Sequence, residues 1–303
     1  MKIDKEKIKE NAKQLEVKSK EVAIKSKNSI VNVIDQNGNG EVDIEDVIIL
    51  GLKTPGIKIN REKFLRKEFE NHLPQKTVED AIAFNPAYAE IDPDFIDNIA
   101  DEVIKYERLC VSGISSALGM PGGFAMAATI PADIGQYYGY LLRATQKLMY
   151  LYGFPEINLD EHNQVFDTAT INTLIICLGV MSGTAGANNA LKAMAKGFAT
   201  GVEKALMKKA LTKGTIYPIV KNVAKVFGQK MTKEVFAGFF KKAIPVIGGA
   251  LGGGITYLSF KPCCDKLKAN LQDTLLSNKN QIETEDEREI VFVEMESCSE
   301  NKI

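Results

Sequence analysis

A long apolar stretch in the middle of the chain constrains the fold more than any other feature of the sequence. Within Leu109–Leu142 the only charged residue is Asp133. Pro121-Gly122-Gly123 interrupts this stretch, because proline lacks a backbone N–H donor and glycine has little conformational preference. Pro131 suits the first position of a following helix, and Gly153 is a typical helix stop. We therefore predict two apolar helices joined by a glycine-rich turn.

Two later uncharged stretches have the same apolar and glycine-rich character. Ile171–Ala187 is marginal in length for spanning a bilayer, and its glycines and polar side chains dilute its hydropathy. Ala243–Phe260 contains Gly248-x-x-x-Gly252 and the overlapping Gly249-x-x-x-Gly253, and small residues at this spacing let two helix backbones approach closely. The fold class we predict is all-α, a multi-helix bundle of glycine-rich, tightly packed apolar helices.

The formal net charge of −1 conceals a strong segregation of charge along the chain. Leu191–Lys242 holds twelve lysines against two glutamates, while the tail from Asn278 is acidic. This asymmetry predicts either an anionic partner for the middle of the chain or pairing within the molecule. An anionic membrane surface or a membrane protein complex fits the first alternative. Nucleic acid does not, because the lysines come with few aromatic residues and almost no arginine.

The first 27 residues are rich in charge. Lys2–Lys27 alternates lysine and glutamate around a thin apolar stripe of Ile8, Leu15 and Val22, which predicts a basic amphipathic helix. Such a helix is solvated, docked on the bundle or laid on a membrane surface. Because this segment has no apolar signal region and the five cysteines include no C-x-x-C pair, we expect a cytoplasmic protein. A mean hydropathy of −0.10 favours peripheral attachment to the inner face of the cell membrane over insertion.

The sharpest chemical pattern in the sequence is a calcium loop of the EF-hand type between Asp35 and Asp46. A calcium ion needs six or more oxygen ligands, and a twelve-residue loop supplies them from fixed positions around a glycine at the sixth, here Gly40. The predicted ligands are Asp35, Asn37, Asn39, the backbone carbonyl of Glu41, Asp43 and Asp46. The sequence therefore predicts Ca²⁺ as a cofactor.

Two features of the loop predict a weak site. The twelfth position is Asp46 instead of the longer glutamate, and the third and fifth positions are uncharged asparagines. Affinity follows ligand charge, so we expect a dissociation constant of about 10⁻⁵ to 10⁻³ M. Asp46 followed by Val47-Ile48-Ile49-Leu50 also resembles the calcium loop of a dockerin repeat. The alternative is a hairpin or loop around Asn37-Gly38 with a fortuitous match.

No catalytic constellation is evident in the sequence. It contains no G-x-S-x-G, no P-loop and no dinucleotide fingerprint followed by an acidic residue. Asp133 and Arg143 could act as an acid and its partner. The alternative reading is a carboxylate at a helix N-terminus and an arginine at the edge of a bundle. The sequence thus leans away from an enzyme.

The central stretch resembles the EcsC family. The resemblance lies in the glycine-rich turn, then Pro131-Ala132-Asp133, Arg143 and Tyr152-Gly153. The later Ile244–Gly253 is similar to that family's C-terminal P-x-x-G-x-x-x-G helix, and the likeness covers roughly 101–271. It implies an all-helical bacterial protein linked to membrane transporter systems, and no agreed biochemical activity.

Together these patterns predict a chain of five parts. They are a basic amphipathic helix (1–27), an EF-hand-like helix–loop–helix unit (28–56), connecting helices (57–100), an EcsC-like helical domain (101–276) and an acidic, mostly disordered tail (277–303). We expect a non-enzymatic, peripheral membrane-associated protein of the EcsC type with a weak calcium loop. An enzyme that uses the Asp133 and Arg143 region and a purely soluble interaction protein are the alternatives. The sequence leaves the oligomeric state open.

Overall fold

The computed structural model of the protein describes residues 44–53, 56–118, 126–157, 168–200, 209–212, 214, 216–228 and 253–278. Within these ranges the regular secondary structure is helical throughout, which confirms the predicted all-α fold. The helices are α1 (Ile44–Lys53), α2 (Arg61–Phe69), α3 (Gln75–Ala83), α4 (Pro93–Leu118), α5 (Met126–Leu151), α6 (Thr168–Ser182), α7 (Ala187–Ala199), α8 (Tyr217–Gly228) and α9 (Gly253–Gln272), followed by a 3-10 turn (Leu275–Ser277).

Helix α6 lies at the centre of the bundle. Every residue from Ile171 to Met181 is buried, and α1, α5, α7, α8 and α9 all pack against the helix. A helix that is apolar on all sides must be enclosed, and here other helices enclose it. Burial in the core therefore explains why Ile171–Met181, the larger part of the uncharged stretch, is apolar. Among the described helices, none combines the length and apolar character needed to cross a membrane.

Helices α4 and α5 are the longest pair in the described fold and pack along each other, with α9 against α4. Our prediction that the second helix starts at Pro131 is wrong, because α5 already begins at Met126. The apolar pattern continues on both sides of the proline, so the helix runs through it at the loss of one backbone hydrogen bond. The turn at Pro121-Gly122-Gly123 lies outside the described residues.

The predicted stop of α5 at Gly153 is confirmed. Gly153 has φ of +88°, a conformation that glycine adopts without strain. The Phe154 N–H donates to the Met149 carbonyl at 2.9 Å and the Gly153 N–H to the Tyr150 carbonyl at 3.3 Å, the two hydrogen bonds of a Schellman cap. A Cβ at Gly153 would lie 2.8 Å from the Leu276 carbonyl oxygen, so the stop also lets the 3-10 turn pack closely.

The described helices share one hydrophobic core that extends from Ile44 to Leu276. The boundary expected near residue 101 falls inside α4, which is continuous from Pro93 to Leu118. Of the five predicted parts, 1–27, the segment 28–43 and nearly all of the acidic tail lie outside the described residues. The same holds for Gly248, Gly249 and Gly252 of the predicted glycine-rich helix.

Candidate functional site

The predicted calcium loop is described only at its C-terminal end. The first five predicted ligands, Asp35, Asn37, Asn39, Glu41 and Asp43, lie outside the described residues. The last three loop positions, Ile44 to Asp46, form the first turn of α1. A calcium unit of this type requires a helix that leaves the loop at this point. Where the structure describes the chain, no three His, Cys, Asp or Glu side chains lie close enough to hold a metal ion.

Asp46 is completely buried. The first turn of a helix favours a carboxylate, because the unpaired N–H groups and the helix dipole are positive there. A buried carboxylate also needs hydrogen bonds or a counter-charge. The side chain predicted to occupy the twelfth loop position is thus enclosed by the protein instead of projecting into solvent.

Helix α1 is built into the core through a close crossing with α5. Ile44, Ile48 and Leu52 are buried on its inner face. At Gly51 an added Cβ would lie 2.8 Å from Leu142 Cδ1 and 3.6 Å from the backbone nitrogen of Gly139. The two helices approach this closely because both have glycine at the crossing. Close packing through small residues was predicted for the apolar helices, which include α5, but not for α1.

The segment after α1 is fixed to α5 by side-chain hydrogen bonds to its backbone. We call this contact the α5 junction, formed by the side chains of Arg143, Gln146 and Tyr150 with the backbone of residues 56–59. Gln146 is buried, and its Nε2 donates to the Ile57 carbonyl at 3.1 Å while its Oε1 accepts from the Ile59 N–H at 3.0 Å. The Gln146 side chain therefore satisfies one backbone carbonyl and one backbone N–H of the segment.

The other two side chains of the α5 junction bind on either side of Gln146. Arg143 Nη1 donates to the Gly56 carbonyl. The Tyr150 hydroxyl donates to the Ile59 carbonyl at 3.3 Å. Burial raises the pKa of Tyr150 well above its ordinary value, so the hydroxyl keeps its proton for this bond. The helix that leaves the predicted calcium loop is thus connected to the core at its crossing and at its exit.

Arg143 also belongs to a buried ion cluster with Glu107 and Lys147, which we call the Glu107 cluster. Glu107, on α4, is completely buried. Arg143 donates through Nε to Oε2 at 3.0 Å and through Nη2 to Oε1 at 3.2 Å, and Lys147 Nζ lies 2.6 Å from Oε1. Burial opposes the charge of Arg143, but the hydrogen bonds and charge of Glu107 outweigh it and raise the pKa of Arg143.

The Glu107 cluster bears on the enzyme alternative. Asp133 and Arg143 lie ten residues apart on the same helix, a rise of about 15 Å along its axis. Arg143 is paired with Glu107, and both oxygens of this inaccessible carboxylate already accept from cations. The arrangement joins α4 to α5 and leaves Glu107 no access to a substrate. Sequence reasoning missed Glu107 because it lies 36 residues before Arg143, on another helix.

Three cysteines in the described helices are enclosed by apolar side chains. Burial raises the pKa of Cys177 to about 12 and raises the pKa of Cys263 and Cys264 as well. A raised pKa keeps each thiol protonated, whereas the thiolate is the form that acts as a nucleophile or a metal ligand. We therefore interpret these three cysteines as core residues.

The described part of the lysine-rich region supports both explanations of its charge. On α8, Val220 and Val223 are buried while Lys221 and Lys225 are exposed. On α7, Lys192 pairs with Asp273 at 2.5 Å. Some of this positive charge is therefore neutralised within the molecule, and some faces solvent.

Comparison with known proteins identifies no relative of this chain. The chain matches no family model, no curated protein and no solved structure. The resemblances to EcsC proteins and to calcium loops therefore stay predictions from the sequence.

Proposed function

We propose that this protein is a non-enzymatic helical protein that binds calcium weakly at the loop Asp35–Asp46 and transmits binding into its core through α1. The ligands are Asp35, Asn37, Asn39, the Glu41 carbonyl, Asp43 and Asp46. The observation that carries the proposal is the position of α1, whose first turn is the end of the loop and whose body crosses α5 at Gly51 and Gly139.

The proposed coupling follows from linkage. A ligand that binds the folded protein alone stabilises it by RT ln(1 + [L]/Kd). The stabilisation reaches the core only if the loop and the core unfold together. The α5 junction supports this, because the hydrogen bonds of Gln146 and Arg143 to residues 56–59 hold the chain that follows α1 against the core.

Isothermal titration calorimetry of the full chain with calcium tests the proposed binding. We expect one ion per chain with a dissociation constant of about 10⁻⁵ to 10⁻³ M. Asp35→Ala should weaken binding at least tenfold, since it removes a charged ligand at the first loop position. Asp94→Ala, at an exposed position of α4, is the matched control. Absence of any calcium heat up to millimolar concentration would show that the loop is an ordinary turn.

A second proposed function is peripheral binding to an anionic membrane surface, or to a membrane protein complex beside it. The exposed face of α8 supports it, because Lys221 and Lys225 lie one turn apart, opposite the buried valines. The resemblance to EcsC proteins supports a role beside membrane transporter systems. Each lysine close to an anionic surface contributes about 1 kcal/mol, and salt screens the attraction.

Sedimentation with liposomes tests the second proposal. We expect the full chain to bind vesicles that contain phosphatidylserine, to ignore neutral vesicles and to dissociate as salt is raised. The pair Lys221→Gln and Lys225→Gln should weaken binding, whereas Lys63→Gln with Lys76→Gln removes the same charge from exposed sites on α2 and α3. Equal binding to both kinds of vesicle, or to neither, would rule out the lysine face as the contact.

A further inference from the structure

The loop between α3 and α4 exposes two aromatic rings that lie close to each other at a tilt. Phe84 is 57 % exposed and Tyr88 is 49 % exposed, and their ring centroids lie 4.3 Å apart. Aromatic side chains supply much of the binding energy at protein interfaces, and exposed apolar patches mark interaction sites. The pair therefore points to a surface that binds something. We call residues 84–94 the α3–α4 corner.

Hydrogen bonds hold the α3–α4 corner in place from below. The buried Arg61 donates to the Ile82 carbonyl at 2.6 Å and to the Phe84 carbonyl at 3.2 Å. Within the corner, the Tyr88 N–H donates to Asn85 Oδ1 at 2.7 Å. The rings are thus presented by a fixed backbone, and a pre-ordered surface loses less conformational entropy when a partner binds.

A cavity of about 120 Å³ is lined in part by residues of the α3–α4 corner. Pro86 and Ala87, which lie between the two aromatic residues in the chain, form one wall, and Ile91, Ile96 and Leu276 contribute apolar surface. Asp97 also lines the cavity and accepts hydrogen bonds from the Tyr152 hydroxyl at 2.7 Å and from Gln272. The size and lining suit a single aliphatic side chain.

The charge around the α3–α4 corner is strongly negative. Between Phe84 and Glu102 the chain has six carboxylates and no lysine or arginine. Lys268 from α9 pairs with Asp101 at 2.8 Å and Lys105 pairs with Glu102 at 3.1 Å, which offsets two of these charges. Asp92 and Asp94 are exposed at the edge of the corner. A complementary partner is therefore positively charged.

We propose that the α3–α4 corner is a docking site for a lysine- or arginine-rich segment of a partner protein. One aliphatic side chain of the segment enters the cavity, and its cationic groups meet Phe84, Tyr88 and the carboxylates of Asp92 and Asp94. Cations bind favourably over aromatic faces and beside carboxylates, so one basic segment satisfies both parts of the surface. None of its residues belongs to the predicted calcium loop or to the lysine face of α8.

Fluorescence anisotropy with the full chain tests this site, using a labelled synthetic peptide of alternating lysine and serine that contains two leucines. We expect saturable binding that is lost when glutamate replaces the lysines and weakened when serine replaces the leucines. Phe84→Ala should weaken binding about tenfold, the effect of removing an aromatic anchor. Asp94→Asn should weaken it a few-fold, since exposed charges contribute little each.

Matched variants decide whether the effect is local. Leu109→Ala removes another exposed apolar side chain and Glu70→Gln another exposed carboxylate, and neither should change the affinity. Unchanged binding by Phe84→Ala, or equal weakening by Leu109→Ala, would overturn the proposal. Sedimentation velocity tests whether a second copy of this chain occupies the site instead. Concentration-dependent association that Phe84→Ala abolishes would show self-association through the α3–α4 corner and would contradict a basic partner segment.

Discussion

Helix α6 and the Tyr138–Leu151 part of α5 are both largely buried, but they are held in place in different ways. From Ile171 to Met181 α6 is enclosed on all sides, mostly by apolar contacts. Helix α5 carries Arg143, Gln146 and Lys147 into its contacts, and each of them has a specific hydrogen-bond partner on another element. The comparison shows that α6 contributes mainly apolar volume to the core. Helix α5 instead selects its neighbours through specific hydrogen bonds.

This difference matters for the proposed function. Apolar packing tolerates neighbours of similar volume, but a buried polar group must meet its partner or remain unsatisfied. Gln146 fits one position of residues 57–59, where it pairs a carbonyl and an N–H. The segment that directly follows α1 is therefore positioned by a polar side chain of α5, and α1 connects this segment to the end of the predicted calcium loop.

The largest expected effect is at the Glu107 cluster. Glu107→Ala leaves Arg143 and Lys147 partly buried without their carboxylate, and breaking such a buried cluster destabilises by about 3–5 kcal/mol. Urea denaturation measures the loss. Glu102→Ala, which removes an exposed carboxylate of the same helix, should change stability by less than about 0.5 kcal/mol. A similar loss of stability in both variants would show that the buried ion pairs of Glu107 do not hold α5 more strongly than an exposed carboxylate does.

Helix α6 should respond to a loss of volume instead of a loss of charge. Leu174 is completely buried, and Leu174→Ala should destabilise by about 3 kcal/mol through lost apolar burial and the cavity left behind. The same denaturation experiment measures it, with Leu109→Ala, 56 % exposed, as the control. A loss below about 1 kcal/mol would mean that α6 is not packed as tightly as its burial indicates.

A smaller effect is expected at the α5 junction. Gln146→Leu keeps most of the side-chain volume but removes the partners of the Ile57 carbonyl and the Ile59 N–H, which should destabilise by about 1–3 kcal/mol. Gln75→Leu, at an exposed position of α3, is the control for the change of residue type. An unchanged stability of Gln146→Leu would show that the junction contributes no net energy.

The comparison also explains what the sequence could and could not predict. The apolar character of α6 and the glycine stop of α5 are local properties, so Ile171–Met181 and Gly153 could be predicted. Pro131 was misjudged because the helix continues through it. The partners of Arg143 and Gln146 come from elements 36 and 87 or more residues away in the chain, and no spacing rule connects positions so distant.

The candidate calcium loop stays a prediction from ligand spacing, which a sequence can show because the twelve positions lie within one segment. Its relation to the core could not. The crossing of Gly51 with Gly139 depends on the packing of two helices that are far apart in sequence. The α3–α4 corner was missed for a similar reason, since Phe84 gives no sequence signal that its ring stays exposed.

Native-state hydrogen exchange with and without calcium tests most directly whether the loop is coupled to the core. At a tenfold excess over its dissociation constant, calcium should add about 1.4 kcal/mol, or about tenfold slower exchange, to amides that open with α1. We expect this slowing in α1 and also in α5 around Leu141–Tyr150, and no slowing in Asp35→Ala. Calcium binding seen by calorimetry, with protection that stops at Asp46 and unchanged exchange in α5, would contradict it.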